Sequence, residues 1–71
     1  MDADQLIKHA IELFLHKSNV LPSATDSYIR NEGGKDYVVL RNVNGVQAVY
    51  SITDNDYLRP LKNIPDWVDK K

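Results

Sequence analysis

Three side chains near the N-terminus have types that bind divalent metals: His9, Glu12 and His16. On a helix they would stand within roughly 60° of one another, on its polar face. Two imidazoles and one carboxylate can hold Zn²⁺ and leave a fourth position open. These histidines are nevertheless about two turns apart, and the HExxH spacing of helical zinc sites is absent. We therefore expect a solvated helix face, with no metal and no other cofactor.

Residue types for covalent catalysis are scarce. The chain has no cysteine, and none of its serines stands in a nucleophile-elbow or triad-like context. The paired carboxylates of Asp54 and Asp56 fall in a predicted turn, where aspartate accepts local backbone hydrogen bonds. The sequence therefore contains no catalytic constellation, and we expect no enzymatic activity.

Tyrosine and arginine alternate on the first and last predicted strands, as Tyr28 with Arg30 and Tyr57 with Arg59. Sheets that bind single-stranded nucleic acid combine aromatic stacking with cationic contacts of this kind. Acidic residues beside these strands would repel phosphate, so nucleic acid is the less favoured partner. A nucleic-acid-associated protein remains the alternative to our first interpretation, given below.

The composition indicates one folded domain spanning residues 1–71, with 42% hydrophobic and 27% charged residues and a net charge of −1. No global positive field is present to hold a polyanion or an anionic membrane. No apolar stretch approaches the ~20 residues of a membrane span, and the N-terminus is acidic where a signal peptide is basic. Without cysteine to form disulfides, the chain fits a reducing compartment, so we expect a small soluble protein of the cytoplasm.

The N-terminal segment has the periodicity of an amphipathic helix over residues 3–17, with Asp2 as N-cap and Gln5 in the capping-box position. Its apolar arc covers about half of the helix circumference, because Leu13 and Leu15 lie on opposite flanks of the stripe. A helix that packs on a single sheet needs only a narrower apolar stripe than this. Either Val20 and Leu21 fold back over a flank, or a second chain covers it.

The rest of the chain has the pattern of an antiparallel meander, with strands over residues 27–31, 36–43, 46–53 and 57–62. Adjacent glycines mark the first turn, and Asn44-Gly45 is the pair that best fits a two-residue type I′ hairpin. Pro60 indicates an edge strand, and Pro65 begins a predicted short helical turn. The predicted fold is α+β: an N-terminal amphipathic helix packed on a three- to four-stranded antiparallel β-meander, with a short C-terminal helical turn.

A turn at Asn44-Gly45 sets the register of the central hairpin. It pairs Val39 with Tyr50 and Tyr37 with Ile52, on the more apolar face, which we assign to the helix. The opposite face then retains three apolar side chains: Val38, Leu40 and Val49.

These observations favour a non-catalytic protein-interaction module that pairs with another protein or with itself as a homodimer. A chain this short has a thin core and carries no disulfide staple. The expected contact residues are the flanking helix residues, the spare sheet residues and one aromatic anchor: Leu13, Leu15, Val38, Leu40, Val49 and Trp67. Trp67 has a second interpretation, in which it folds back to seal the core.

Overall fold

The computed structural model describes residues 2–53, 55 and 57–68. In chain order they form α1 (Ala3–Leu15), β1 (Ser23–Glu32), β2 (Lys35–Asn42), β3 (Gly45–Ile52) and β4 (Leu58–Pro60). The four strands make one antiparallel sheet in the order β1-β2-β3-β4. The predicted α+β class, with one N-terminal helix and an antiparallel meander, is confirmed.

Helix α1 begins where the sequence predicts. The Asp2 carboxylate accepts a hydrogen bond from the backbone amide of Gln5 at 2.9 Å, which satisfies one free donor of the first turn. The helix ends two residues earlier than predicted, at Leu15. The amide of Lys17 donates to the Phe14 carbonyl at 3.0 Å, so the last turn tightens before the chain leaves the helix.

The two hairpin turns differ in how well the sequence predicts them. Gly33 and Gly34 have φ of 62° and 83°, and Glu32 faces Lys35 across them, as a type I′ turn requires. The predicted turn at Asn44-Gly45 is wrong by one residue, because Asn42 pairs with Gly45 and the turn residues are Val43 and Asn44. The Asn42 carboxamide oxygen accepts from the Asn44 amide at 2.8 Å, which stabilises the earlier turn.

The predicted faces of β2 are inverted by a bulge and not by the displaced turn, because moving the turn by one residue changes the pairing by two and preserves the faces. A register irregularity follows Leu40, and the pairs become Val38 with Tyr50 and Leu40 with Ala48. Val38 and Leu40 therefore lie on the helix side of the sheet, and Val39 lies on the opposite side. The face predicted for Ala48, Tyr50 and Ile52 is correct, since all three contact the helix-side core. A one-residue slip exchanges all side chains of one strand between faces.

Strand β1 begins earlier than predicted and contains a bulge between Ser23 and Tyr28. The Ser27 hydroxyl bridges the irregularity: it donates to the Ser23 carbonyl at 2.7 Å and accepts from the Arg41 amide at 3.0 Å. Ser27 is buried, so its side chain replaces the ladder hydrogen bonds that the bulge interrupts.

Both faces of the sheet are covered within the chain. On one face, α1 packs Leu6, Ile7 and Ala10 against the sheet. On the other face, the C-terminal segment contributes one buried and three half-buried side chains around Val39 and Val49: Leu61, Ile64, Trp67 and Val68. This second layer explains how so short a chain buries apolar side chains on both sides of its sheet.

The predicted short C-terminal helical turn is not seen among the described residues. Residues 65–68 form one hydrogen-bonded turn, in which the Val68 amide donates to the Pro65 carbonyl at 3.1 Å. The predicted last strand is likewise shorter, and covers only Leu58–Pro60. The aspartates of the predicted turn at residues 54–56 lie outside the described residues.

Candidate functional site

The three side chains with metal-binding chemistry do not form a site with other donors. His9, Glu12 and His16 are exposed, the first two on α1 and His16 at its C-terminal cap. Across residues 2–53, 55 and 57–68, no group of three His, Cys, Asp or Glu side chains has the proximity to hold a metal ion.

The predicted interaction residues occupy three different environments. Val38, Leu40 and Val49 are almost fully buried, so they contribute to the core and not to a surface. Leu13 is half-buried against the helix-side core. Among the predicted aliphatic contacts, this leaves Leu15, of which 41% is exposed.

Trp67 seals the second face of the sheet. Its indole lies against the Tyr37 ring, with centroids 5.0 Å apart, and the Arg30 guanidinium carbon lies 5.3 Å from the indole centroid. Arg30 also pairs with Glu32 at 3.0 Å. These contacts fit the interpretation in which Trp67 folds back to seal the core better than the one in which it is an anchor for a partner protein.

Three large exposed aliphatic side chains lie in the segments at one end of the sheet, which we call the aliphatic end and define as Val20, Leu21 and Val43. Val43 is 94% exposed and Leu21 67% exposed. The pairing of Ser23 with Arg41 places the chain before Ser23 and the β2–β3 turn at the same end of the sheet. Val20 is 41% exposed and Leu21 67% exposed, so neither side chain is buried against the helix.

The exposure of Val43 was not expected, because Val43 falls within the predicted strand over residues 36–43. The actual turn carries it outward. Its exposure was predictable only from Asn42, whose short polar side chain favours a turn beginning at its own position.

The two sheet edges are poorly suited to pairing with another strand. Strand β1 carries the bulge and, further along, the exposed ion pair between Arg30 and Glu32. Strand β4 has three residues and contains Pro60, which has no amide hydrogen to donate. Bulges, charges and proline on edge strands oppose edge-to-edge association.

The four residues predicted for nucleic-acid contact are spread across the width of the sheet. Tyr28 and Arg30 lie on β1, whereas Arg59 lies on β4 at the opposite edge of the sheet. Tyr28 packs in the second core, and Arg30 is held by Trp67 and Glu32. Tyr57, just before β4, is 71% exposed.

An open groove of about 830 Å³ lies where β2 begins and β3 ends, beside β4. Its polar lining residues include three cations and two hydroxyl-bearing residues: Lys35, Arg59, Lys62, Ser51 and Thr53. Tyr37 forms part of its wall. The groove and the aliphatic end lie at opposite ends of the sheet, because β3 runs from Gly45 at one to Ile52 at the other.

Burial raises the pKa of the Tyr50 phenol above its usual value. Tyr50 belongs to the helix-side core, where its charged form would lose hydration. The phenol therefore stays neutral at physiological pH and acts as a packing group.

Comparison with known proteins adds no relative: no protein-family model, no curated protein and no solved structure matches the chain. Among the described residues, no helix has the length and apolar character to cross a membrane.

Proposed function

We propose that the chain is a small non-catalytic protein-interaction module that associates with a second copy of itself through the aliphatic end. The observation that carries this proposal is the exposure of Val20, Leu21 and Val43, which lie in the two segments adjoining the Ser23–Arg41 pair at one end of the sheet. Contiguous exposed apolar surface of this kind marks protein-interaction sites.

A second copy of the chain is the favoured partner because two aliphatic ends can pack together without charge repulsion. In a two-fold dimer each patch faces the same patch, so any charge would face its like. Residues 18–22 and 42–46, which supply Val20, Leu21 and Val43, contain no charged side chain. Asparagine and serine rim the patch instead, as polar rims do in transient interfaces.

The size of the patch supports weak, reversible association. Interfaces that bury less than about 1,200 Å² belong mostly to transient complexes. An interface made by a few aliphatic side chains per copy belongs to this class, so we expect a dissociation constant between micromolar and millimolar.

The absence of cysteine fits a compartment in which disulfides do not form, and we propose that the protein is located in the cytoplasm.

Sedimentation equilibrium from micromolar to millimolar concentration tests this proposal. The wild-type chain should show a monomer–dimer equilibrium, and Val43→Lys should raise the dissociation constant at least about tenfold by placing like charges opposite each other. Tyr57→Lys is the matched control, since it replaces another highly exposed hydrophobic residue at the opposite end. A wild-type monomer throughout the range, or equal effects of both variants, would contradict the proposal.

A further inference from the structure

We propose that the groove beside β4 binds a nucleotide, either free or within a single strand. The proposal is independent of self-association, because the groove and the aliphatic end lie at opposite ends of the sheet. It also differs from the sequence-based nucleic-acid surface, of which only Arg59 lines the groove.

The groove exists because the C-terminal segment covers only part of the second sheet face. Tyr37, Ser51 and Arg59 are successive cross-strand neighbours on β2, β3 and β4, so they form one row on this face. Trp67 covers the row at Tyr37. Beyond Ser51 the row lies open, with the walls contributed by neighbouring strands and by Leu61 and Lys62.

The charges in the groove favour an anion. Among the described residues, Lys35, Arg59 and Lys62 line it together with one carboxylate, that of Asp36. The Asp36 carboxylate already accepts from the Asn31 side-chain amide at 2.9 Å, and strand alternation places Asp36 on the opposite face from Lys35 and Tyr37. Within the part of the chain that the structure describes, no ion pair engages the three cations. A chain with net charge −1 thus carries a local positive site.

The remaining groups distinguish a nucleotide from a simple anion. Arg59 offers the planar, forked donors that match phosphate oxygens. The half-buried Tyr37 ring, which lies against Trp67, also lines the groove and offers a base an aromatic contact. The Ser51 hydroxyl lies in the same row and can bind a sugar or phosphate oxygen. Ligand sites typically enclose about 300–1,000 Å³, a range that includes this groove.

Amide chemical-shift titration of the ¹⁵N-labelled chain at low ionic strength tests the proposal. The probes are adenosine monophosphate, a short oligothymidylate, adenosine, inorganic phosphate and polyglutamate. Saturable shifts at Lys35, Tyr37, Ser51 and Arg59 with either nucleotide probe support the proposal. Adenosine monophosphate binding at least as tightly as the oligothymidylate identifies a free nucleotide as the source. Tighter binding of the oligothymidylate identifies a single strand.

Two variants separate the groove from general electrostatics. Arg59→Gln should weaken nucleotide binding at least about fivefold, because it removes one phosphate contact. Lys8→Gln removes the same charge from an exposed position on α1 and should leave the affinity unchanged. Arg59 is exposed, so a thermal unfolding curve close to wild type should confirm that its replacement preserves the fold. Absence of shifts with both nucleotide probes, equal losses in both variants, or equally tight binding of inorganic phosphate or polyglutamate would overturn the proposal.

Discussion

The indole of Trp67 lies against the phenol ring of Tyr37, with ring centroids 5.0 Å apart and planes inclined by 51°. This contact joins the C-terminal segment to the start of β2. It converts a sheet that could have one solvated face into one that is covered on both sides. Tilted aromatic pairs contribute about 0.5–1.5 kcal/mol beyond the area that they bury.

Trp67→Ala should lower the free energy of unfolding by about 2 kcal/mol, because it uncovers Val39 and Val49 as well as removing the ring contact. The loss should be smaller than the 3–5 kcal/mol of a fully buried tryptophan, since Trp67 is half-buried. Urea denaturation followed by circular dichroism measures it. Tyr57→Ala is the control, as an exposed aromatic residue whose loss should change stability by less than about 0.5 kcal/mol. Similar effects of both variants would mean that Trp67 is not a core residue.

Ser27→Ala should lower the free energy of unfolding by about 1–3 kcal/mol, the cost of leaving buried backbone groups without a partner. The change removes both the bond to the Ser23 carbonyl and the bond from the Arg41 amide. Thr25→Ala lies in the same bulge but at an exposed position, and should be nearly neutral. Chemical denaturation of the two variants measures these changes. An unchanged free energy of unfolding for Ser27→Ala would show that water replaces the hydroxyl.

The helix and the strands can be predicted from local sequence patterns, whereas the register of the central hairpin cannot. The three-to-four periodicity before Pro22 and the Gly33-Gly34 pair predict α1 and the first turn, because both depend on residues close in sequence. The central turn depends on a competition between two neighbouring turn signals. Asn42 accepts a hydrogen bond from the Asn44 amide and also from the Gln47 side chain at 3.1 Å, and that network favours the earlier turn.

A bulge, and not the displaced turn, explains the misplaced interaction residues. Val38 and Leu40 were expected on an open face because the predicted hairpin lacked the extra residue between Val46 and Ala48, which shifts the register by one. The groove was beyond sequence reasoning for a different reason. Lys35, Ser51, Arg59 and Lys62 belong to separate strands or loops, and only the paired sheet brings them together.

Gly33→Val should destabilise the chain by about 1–2 kcal/mol, whereas Gly33→Asn should cost only a fraction of this. Gly33 has φ of 62°, a conformation that asparagine tolerates and β-branched residues avoid. A Cβ at this position would meet nothing within 4 Å, so the difference is conformational and not steric. Thermal unfolding midpoints of the two variants provide the comparison, and equal midpoints would exclude the conformational explanation.

Stability should decline at alkaline pH because of Tyr50. Its pKa is raised in the folded state by burial, so the unfolded chain releases this proton first as the pH rises past 10.0, the usual pKa of tyrosine. The contribution is fully present below that pH and is lost as the pH rises through the folded-state pKa. Tyr50→Phe should remove this part of the alkaline loss. Denaturation free energies at neutral and strongly alkaline pH test the prediction, and parallel curves for both chains would contradict it.

The central claim, that copies of the chain meet through their aliphatic ends, is tested most directly by isotope-filtered nuclear Overhauser spectroscopy on a mixture of labelled and unlabelled chains at millimolar concentration. We expect intermolecular contacts among the methyl groups of Val20, Leu21 and Val43, and none to methyl groups of Val39 or Val49 in the second core. Intermolecular contacts confined to other surfaces, or none at all, would contradict the claim.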